Sequence, residues 1–390
     1  MTIPASARCW LELDAAAIRR NAALARETAG VPLMAVVKAD GYGHGAAVVA
    51  RAALEGGARS LGVATASEAA ALRAAGVEAP IQVLGSFLPE ELPLLVEARA
   101  VATIHEAEDL QRLRGAARAA GRPLPAQLKV DVGMHRHGVA PERALELLAA
   151  LARDPGIELR GLMTHLPCSA GADLTSSRAQ VARFAALVAA ADAAGLLPAE
   201  VHAAATAALF RLPESRFNQV RAGIALVGLD PAACLGGVEL TPALSLRVRV
   251  MRTKDVPQGQ AVGYGARWVA PRPSRIALLG IGYGDGAPYA WTQGGAEVLL
   301  QGQRCPLVGS VMMDYMAVDV TDLPRATEPG DVATLVGQDG AQRLTLEAQA
   351  ARAGLIPYAL ACGLGGRLQR ATVGAAASGG EEPARLRLVA

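Results

Sequence analysis

The sequence is poor in aromatic residues and holds no apolar run long enough to cross a membrane. Aromatic residues make up only 3% of the 390 residues, so a tyrosine between glycines carries more information than usual. Hydrophobic residues make up 52%, yet no stretch approaches the roughly 20 uninterrupted apolar residues of a membrane-spanning helix. The N-terminus, MTIPASARCW, lacks the basic start and apolar run of a secretion signal. We therefore expect a cytoplasmic protein without a membrane partner.

Paired cysteines and a strong charge imbalance are absent too. The five cysteines are widely scattered, odd in number and free of any CxxC pair, which disfavours a disulfide framework and a thiolate metal site. We expect no metal. The formal net charge is +2, and acidic and basic residues are mixed along the chain. Because this distribution offers no basic stripe, we expect no nucleic-acid partner.

The first 230 residues alternate short apolar runs with helical patterns. The predicted strands are Leu33–Val37, Leu61–Ala64, Ile81–Leu84, Val101–Ile104, Leu128–Val132, Leu159–Thr164, Val201–Ala204 and Val220–Val227. Predicted helices between them include Gly45–Glu55, Glu106–Ala120, Glu142–Asp154 and Leu174–Ala194. This repetition predicts an α/β fold with a TIM-type (β/α)8 barrel over residues 1–230. The alternative, a doubly wound open sheet, would need a GxGxxG loop after its first strand, and none is there.

After Asp230 the rhythm of the sequence changes, as expected for a chain long enough for two domains. Short, often alternating runs are separated by glycine, proline and aspartate, which is typical of β structure. The predicted strands are Leu244–Val250, Ile276–Ile281, Ala296–Leu300, Met316–Val320 and Val332–Val336. These runs predict a C-terminal β-rich domain over residues 231–373. The small, polar and acidic residues that follow predict a mobile tail over residues 374–390.

The first predicted barrel strand ends at a lysine in an unusual setting. In such barrels the chemistry lies on loops at the carboxyl ends of the strands, and here Lys38 lies in the sequence AVVKADGYGHG. A lone lysine at a strand end usually reaches solvent, which is the alternative. The glycine-rich backbone, together with Tyr42 and His44, favours a ligand site. A partly desolvated lysine with a depressed pKa suits a Schiff base with an aldehyde cofactor.

The ends of the last two predicted barrel strands carry groups that would suit a phosphate and a ring nitrogen. Thr206 and the backbone N–H groups of Gly223 and Ile224 lie where barrels commonly bind phosphate. The alternative is that Thr206 only caps the next helix. Arg221 beside a pyridine nitrogen would keep its own proton, because the pKa of arginine exceeds about 12. The ring would then be a weak electron sink, which favours quick reprotonation of the α-carbon. A surface arginine is the alternative.

The β-rich half carries two tyrosines between glycines, Tyr264 and Tyr283. A tyrosine in this setting usually marks a bend or a bulge. Inversion of an α-carbon, however, needs one base on each face of a planar intermediate, and a tyrosine opposite the lysine would serve as the second. His165, near Arg221 in the predicted barrel, would link that tyrosine into a chain of hydrogen bonds.

These segments together resemble the alanine racemases, two-domain enzymes that use pyridoxal 5'-phosphate (PLP) and interconvert L- and D-alanine. The resemblance runs in order through nearly the whole chain, from Trp10 to Tyr358, and the loop AVVKADGYGHG is highly specific for the family. The other matching segments are Lys129–Arg136 (KVDVGMHR), Gly161–His165 (GLMTH), Val220–Leu226 (VRAGIAL), Gly263–Gly265 (GYG), Gly282–Gly286 (GYGDG) and Val311–Asp314 (VMMD).

The resemblance implies roles for two opposed bases and for substrate binding. Lys38 would hold PLP as an aldimine and act as the base for the D-enantiomer. Tyr264 of the partner subunit would be the base for the L-enantiomer. Arg136 would bind the substrate carboxylate, and the backbone of Met313 of the partner subunit would contact the substrate. A site shared in this way implies a head-to-tail homodimer.

The resemblance also implies which side chains surround the cofactor. Arg221 would face the pyridine nitrogen. Lys129 matches a lysine that is often carbamylated in this family, and its carbamate would brace Arg136. The full set of implied cofactor-binding residues is Lys38, Tyr42, His165, Thr206, Arg221, Gly223, Ile224 and Tyr358.

Departures from the family's pattern leave other activities open. Ala205-Thr206 stands where the family usually has Asn-Ser, and Ser310 where it commonly has arginine. A serine racemase or a broader amino-acid racemase of the same fold is therefore one alternative. A PLP decarboxylase is another, although its kind places an acidic residue where Arg221 lies. A non-catalytic PLP carrier built on a lone barrel would have no use for the β-rich half.

Overall fold

The computed structural model describes residues 6–230 and 234–374, and these residues fall into two compact units. Ile18–Thr241 form one unit, and the chain before Ile18 and after Thr241 forms the other. The β-rich half therefore includes the start of the chain. From the sequence alone this start had been assigned to the barrel, which was predicted to cover residues 1–230. Apart from Gly374, the predicted tail lies outside the described residues.

The barrel unit alternates strands and helices as expected. The chain begins with β1 (Cys9–Asp14), which belongs to the other unit, and α1 (Ala15–Ala29). The strands of the barrel are β2 (Leu33–Val36), β3 (Ser60–Val63), β4 (Ile81–Val83), β5 (Val101–Ile104), β6 (Leu124–Lys129), β7 (Ile157–Met163), β8 (Glu200–His202) and β9 (Val220–Ala222). The intervening helical segments are α2 (Lys38–Tyr42), which is interrupted by left-handed backbone, α3 (Ala46–Glu55), α4 (Ala66–Ala74), α5 (Leu92–Glu97), α6 (Ala107–Ala120), α7 (Pro141–Arg153), α8 (Thr175–Ala193) and α9 (Thr206–Arg211).

The eight barrel strands form one parallel sheet that nearly closes on itself. Its order is β8-β7-β6-β5-β4-β3-β2-β9. The backbone N–H of Arg221 donates to the carbonyl of Ala204 at 3.0 Å, which links the two end strands. The prediction of a (β/α)8 barrel is confirmed. Most residues of its strands are buried and apolar, as expected when helices cover a parallel sheet, whereas Glu158 and Arg160 of β7 are exposed.

Local sequence sets the helix ends, and the four helices predicted above are found almost residue for residue. At the start of α6, Asp109 accepts hydrogen bonds from the backbone of His105 and Glu106, and Gly121 ends the helix in the left-handed conformation. None of the helices in residues 6–230 and 234–374 has the length and apolarity needed to cross a lipid bilayer.

Two barrel strands differ from their predicted bounds by more than two residues at one or both ends. Strand β6 was predicted as Leu128–Val132 but runs from Leu124 to Lys129. Its polar Gln127 is fully buried and hydrogen-bonded inside the barrel, so polarity does not mark an end of this strand. The last strand stops at Ala222 instead of Val227, because Gly223 turns the chain into a short 3-10 helix, Ile224–Val227.

The β-rich unit contains the remaining elements. These are β10 (Leu244–Val256), β11 (Ala261–Val262), β12 (Trp268–Val269), β13 (Ser274–Leu279), β14 (Glu297–Leu300), β15 (Gln303–Val308), β16 (Met316–Asp319), β17 (Val332–Asp339), β18 (Gln342–Leu344), α10 (Leu346–Arg352), α11 (Pro357–Gly363) and β19 (Gln369–Val373). The prediction of a β-rich C-terminal domain is confirmed.

Six strands of this unit pair in a closed ring. The long strand β10 pairs with both β13 and β17, and the ring continues from β13 through β16, β15 and β14 back to β17. Because β10 pairs with β17 through its first half and with β13 through its second half, one strand serves two neighbours.

Strand β1 lies in this second sheet, antiparallel to β10 and parallel to β19. Its sequence explains the placement. Leu11 and Leu13 are completely buried, whereas Glu12 between them is half-buried and pairs with Arg247 at 3.0 Å. This alternation is typical of a sheet with one covered face and differs from the continuous apolar runs of the barrel strands.

Candidate active site

Lys38 follows β2 at the carboxyl end of the barrel and opens a left-handed turn. The four residues after it, from Ala39 to Tyr42, have φ values of 52°, 52°, 63° and 57°. Left-handed backbone costs roughly 1–2 kcal/mol for each residue other than glycine, so this turn must be held by its surroundings. Glu68 accepts from the backbone of Ala39 at 2.7 Å, and Asp40 accepts from that of Ala46 at 2.8 Å. Backbone strain of this kind clusters at functional sites.

Tyr42, Thr206 and Gly223 meet in a small polar cradle. The backbone N–H of Gly223 donates to the hydroxyl of Thr206 at 3.2 Å. A Cβ atom on Gly223 would lie only 2.2 Å from the hydroxyl oxygen of Tyr42, so this close approach requires glycine. Ile224 follows, almost fully buried. Ala205 is the residue that caps α9, and the alternative that Thr206 caps this helix is wrong.

Arg221 is buried in the barrel, with 2% of its surface exposed, so the alternative of a surface arginine is wrong. One terminal nitrogen, Nη2, donates to the carbonyls of Thr164 and Ala203, both at 2.8 Å, and lies 3.3 Å from Nδ1 of His165. The other, Nη1, lies 2.5 Å from Nδ1 of His202. Burial lowers the pKa of Arg221 to about 10, which leaves the guanidinium charged at neutral pH.

A hydrogen-bonded chain across the barrel interior orients Arg221. Because arginine only donates, Nδ1 of His202 accepts, and its Nε2–H donates to Oε1 of Gln127 at 3.0 Å. The amide of Gln127 donates to the hydroxyl of Thr103 at 2.7 Å, which donates to the carbonyl of Val83 at 2.5 Å. Every donor in this chain has an acceptor, so the direction of each bond is fixed.

His165 and His202 are held neutral. The pKa of His165 falls to about 3, chiefly because of burial and then because of the Arg221 charge. The same two causes hold the pKa of His202 well below its usual value. Two neutral imidazoles therefore contact the charged guanidinium of Arg221.

Lys129 ends β6, with 4% of its surface exposed. Burial is the largest cause that lowers its pKa to about 8, and the charges of Arg136, Arg221 and Lys38 lower it further. His105 lies beside Lys129. In the parallel pairing of β5 with β6, Ile104 is opposite Leu128, and His105 and Lys129 are the residues that follow them. The buried ring of His105 lies 4.9 Å from that of His137.

Arg136 lies exposed on a loop whose base is tied to Lys129. The backbone N–H of Val139 donates to the carbonyl of Lys129 at 3.0 Å, and that of Asp131 donates to Val139 at 2.9 Å. The carboxylate of Asp131 also accepts from the backbone of Gly133 and Met134, each at 2.8 Å. The charge of Arg136 contributes to lowering the pKa of both Lys129 and His165.

The remaining predicted site residues belong to the β-rich unit. Tyr264 and Met313 are strongly exposed, with 75% and 54% of their surfaces accessible. Tyr358 is half-buried and is the second residue of α11. The barrel unit thus brings together nine of the predicted residues, namely Lys38, Tyr42, Lys129, Arg136, His165, Thr206, Arg221, Gly223 and Ile224, and does not include these three.

Sequence reasoning missed several polar residues of the barrel interior. Thr103 and Gln127 belong to the chain that orients Arg221, and His105 is next to Lys129. The available signal was a polar side chain in an otherwise apolar strand, at a position that alternation turns inward. Among residues 6–230 and 234–374, no group of three or more histidine, cysteine, aspartate or glutamate side chains could hold a metal ion.

A charged guanidinium, a buried amine and a polar cradle lie at the carboxyl ends of the strands, where (β/α)8-barrel enzymes carry their active sites. The family model for the alanine racemase N-terminal domain matches residues 13–231, and the model for the alanine racemase C-terminal domain matches residues 243–372. This chain belongs to the alanine racemase family.

Individual relatives agree with this family. The chain is 40% identical over 364 residues to the alanine racemase of Symbiobacterium thermophilum, covering 93% of this chain and 96% of that protein. It is 39% identical over 365 residues to the alanine racemase of Mycobacterium tuberculosis, covering 92% and 94%. The crystal structure of alanine racemase from Streptomyces lavendulae matches with a TM-score of 0.88 and 35% identity, covering 96% of this chain and 98% of that one.

Proposed function

We propose that this chain racemises alanine, with PLP as the cofactor of its barrel. The observation that carries the proposal is the buried guanidinium of Arg221. Both of its terminal nitrogens are hydrogen-bonded, and it lies on β9, the strand that pairs with β2, after which Lys38 follows. Relatives of similar length bear the name alanine racemase. A decarboxylase of this architecture would need an acidic residue where Arg221 lies, so that alternative is not favoured.

The residues of the barrel fit PLP. A phosphate needs hydrogen-bond donors that no side chain blocks. The cradle offers the hydroxyls of Tyr42 and Thr206, and the residue beside them is Gly223, where a Cβ atom would collide with Tyr42. The backbone of Gly223 and Ile224 and the hydroxyl of Tyr358 would complete it. Lys38 would bond to the aldehyde, and Arg221, oriented with His165, would face the pyridine nitrogen. When bound, PLP would supply an electron-withdrawing ring that makes the α-proton of an attached amino acid acidic.

Arg221 would direct the reaction toward inversion. Its pKa of about 10 and its two neutral histidine neighbours keep the proton on the guanidinium at neutral pH. The ring nitrogen would therefore gain no proton, and the negative charge would stay at the α-carbon. A basic α-carbon takes up a proton quickly, which favours racemisation over transamination.

Two bases would exchange the α-proton on opposite faces of the substrate. Lys38 would serve the D-enantiomer, and Tyr264 of the partner subunit would serve the L-enantiomer. Arg136 would bind the substrate carboxylate, and the backbone of Met313 of the partner subunit would contact the substrate. The high exposure of Tyr264 and Met313 on their own chain supports a head-to-tail homodimer in which they serve a neighbouring site.

We further propose that Lys129 carries a carbamate. Its amine is buried among the charges of Arg136, Arg221 and Lys38, all of which disfavour a further positive charge there. A carbamate would replace the ammonium charge by a negative one and would brace Arg136. The cytoplasmic location stays a prediction.

Isotope exchange tests the proposed function. Purified protein with PLP should introduce deuterium from heavy water at the α-position of both L- and D-alanine, and Lys38→Ala should abolish this exchange. Tyr264→Phe should slow exchange of L-alanine about 100-fold or more, as expected for loss of an acid–base group, and should slow exchange of D-alanine less.

Tyr289→Phe is the matched control, because Tyr289 is another exposed tyrosine of the same unit. It should leave both exchange rates close to those of the unchanged protein. Serine assayed in parallel decides between an alanine racemase and a broader one. Absence of α-exchange with any small amino acid would exclude racemisation, and equal losses on both faces would refute Tyr264 as a base.

A further inference from the structure

A buried side chain is hydrogen-bonded to the turn that carries Tyr264. Gly263 and Gly265 on either side of Tyr264 have φ values of 75° and 72°, so the chain turns sharply there. The hydroxyl of Ser310 donates to the backbone carbonyl of Tyr264 at 3.0 Å. Ser310 has 3% of its surface exposed, whereas 75% of Tyr264 is accessible. The position of this tyrosine thus depends on how its backbone is held rather than on packing of its ring.

Ser310 is itself fixed in place. The preceding residue, Gly309, approaches the strand that leads to Tyr264 so closely that a Cβ atom would lie 2.6 Å from the carbonyl of Val262. The following residue, Val311, donates its backbone N–H to the hydroxyl of Thr292 at 3.0 Å. Because both neighbours are anchored, the hydroxyl of Ser310 is a rigid point to which the Tyr264 turn is attached.

The segment that contains Ser310 continues to Met313, whose backbone is contacted by a second turn. The backbone N–H groups of Tyr283 and Gly284 donate to the carbonyls of Met312 and Met313 at 3.0 and 2.9 Å. A Cβ atom on Gly282 would lie 2.2 Å from the carbonyl of Met312, so the two backbones touch. Met313 is thus positioned by the turn Gly282–Gly286.

Arg367 joins this turn to the Met313 segment. Its guanidinium contacts Asp285 at 2.9 Å and Asp314 at 2.8 Å. Asp285 is buried, and its second oxygen accepts from the backbone of Gly282 at 3.0 Å. One arginine therefore ties the acidic residue after Met313 to the acidic residue that closes the turn.

We infer that Ser310 and Arg367 are positioning residues, Ser310 for Tyr264 and Arg367 for the backbone of Met313. The inference rests on the proposed function, in which both of these residues serve the site of a neighbouring subunit. A general acid or base must come within roughly 2.6–3.2 Å of the proton that it moves. A displacement of about 1 Å can reduce the rate about 100-fold. An exposed tyrosine on a turn meets this demand only if the turn is rigid.

Removal of the Ser310 hydroxyl tests the first half. Ser310→Ala should speed amide hydrogen exchange in the peptide that spans residues 261–268 about tenfold, in both the apoprotein and the holoenzyme, because one hydrogen bond is lost. In the holoenzyme it should slow α-proton exchange of L-alanine about tenfold more than that of D-alanine, since only Tyr264 is displaced. Ser310→Thr, which keeps the hydroxyl, should restore both properties.

The matched control is Ser274→Ala, which removes an equally buried serine hydroxyl that donates to the carbonyl of Arg272 at 2.9 Å. It should leave unchanged the amide exchange of the Tyr264 turn and the ratio of the α-proton exchange rates of L-alanine and D-alanine. If Ser310→Ala does not fold, Ser310→Cys, which keeps the size but weakens the donor, gives the same test. Effects of the Ser310 variant equal to those of Ser274→Ala would overturn the inference.

Arg367→Gln tests the second half. It should raise the KM for alanine about tenfold with a smaller change in kcat, because the Met313 backbone would contact substrate, and it should speed amide exchange across residues 309–316. The control Arg352→Gln breaks an ion pair of 2.7 Å with Glu297 in the same unit and should change neither. An unchanged KM together with unchanged amide exchange would overturn this half.

The experiments separate failure of the inference from failure of the proposed function. If Tyr264→Phe slows α-proton exchange of L-alanine and of D-alanine equally, the role of Tyr264 as a base is wrong. Amide exchange then still reports whether Ser310 holds the turn. If Tyr264→Phe does slow the exchange of L-alanine more but Ser310→Ala behaves like Ser274→Ala, only the inference is wrong.

Discussion

At the scale of single residues, Lys129 shows how burial and neighbouring charge change the chemistry of a side chain. Its pKa is lowered from 10.5 to about 8, chiefly by burial. Because the folded-state pKa lies below the unfolded value, the protonated amine disfavours the fold at pH values below about 8. This cost disappears as the pH rises from about 8 to about 10.5. A neutral amine is the form that reacts with carbon dioxide.

We therefore predict that carbamate formation on Lys129 rises with pH through about 8, because only about a tenth of the amine is neutral one unit below its pKa. The measurement is 13C NMR of the holoenzyme in 13C-labelled bicarbonate, at several pH values and fixed dissolved carbon dioxide. Lys129→Ala should lose the signal, and Lys254→Ala, which removes an exposed lysine, should keep it. A wild-type protein without a carbamate signal at pH 8 or above would contradict the prediction.

At the scale of elements, the barrel places short, unusual backbone segments at the carboxyl ends of its strands. The left-handed turn after β2 and the glycine after β9 meet where Tyr42 approaches Gly223. Parallel pairing of β2 with β9 brings these segments side by side although they are far apart in the chain. The cradle is therefore a product of strand order, and its tightness depends on the absence of one methyl group.

Gly223→Ala should weaken PLP binding about tenfold or more, which corresponds to about 1.4 kcal/mol, because the added Cβ atom must displace the Tyr42 ring. Spectroscopic titration of the apoprotein with PLP measures the loss.

Gly115→Ala is the control for this experiment, because nothing lies within 4 Å of an added Cβ atom there. It should leave PLP binding unchanged and slightly stabilise α6. In a Tyr42→Phe background the Gly223→Ala substitution should reduce PLP affinity less than in the unchanged protein, because the Tyr42 hydroxyl that the added Cβ atom would contact is gone. Equal PLP affinity of Gly223→Ala and the unchanged protein would refute the cradle.

At the scale of the whole molecule, the proposed chemistry needs two subunits. Lys38 lies in the barrel unit, whereas the exposed Tyr264 lies in the β-rich unit. If each site takes Lys38 from one subunit and Tyr264 from the other, two inactive variants carry complementary halves of a complete site. Closed two-fold assembly is the simplest arrangement that gives every subunit the same contacts.

We predict that mixing Lys38→Ala and Tyr264→Phe proteins, after dissociation and reassociation, restores racemase activity. Random pairing makes half of the dimers mixed, each with one intact site, so about a quarter of the unchanged activity should return. A mixture of Lys38→Ala with the double variant Lys38→Ala/Tyr264→Phe is the control and should stay inactive. Complementation that fails although mass spectrometry detects mixed dimers would rule out a shared site.

The local sequence predicted much of the fold, for reasons that concern short stretches of chain. Apolar runs and helical periods located the eight barrel strands and the four helices named from the sequence, because periodicity depends only on neighbouring residues. The local sequence also singled out the loop with Lys38, Tyr42 and the glycines. The bounds of β6 were wrong because the inward-facing Gln127 resembles a residue at the end of a strand.

What the sequence by itself determined is therefore the order of the elements and the reactive groups at the strand ends. Only the tertiary structure decided that β1 pairs with β10, that six strands of the β-rich unit close a ring, and that Arg221 is buried against His202. The reason is physical. These contacts join residues far apart in the chain, and their stability comes from burial and hydrogen bonds that exist only after the distant partners have met.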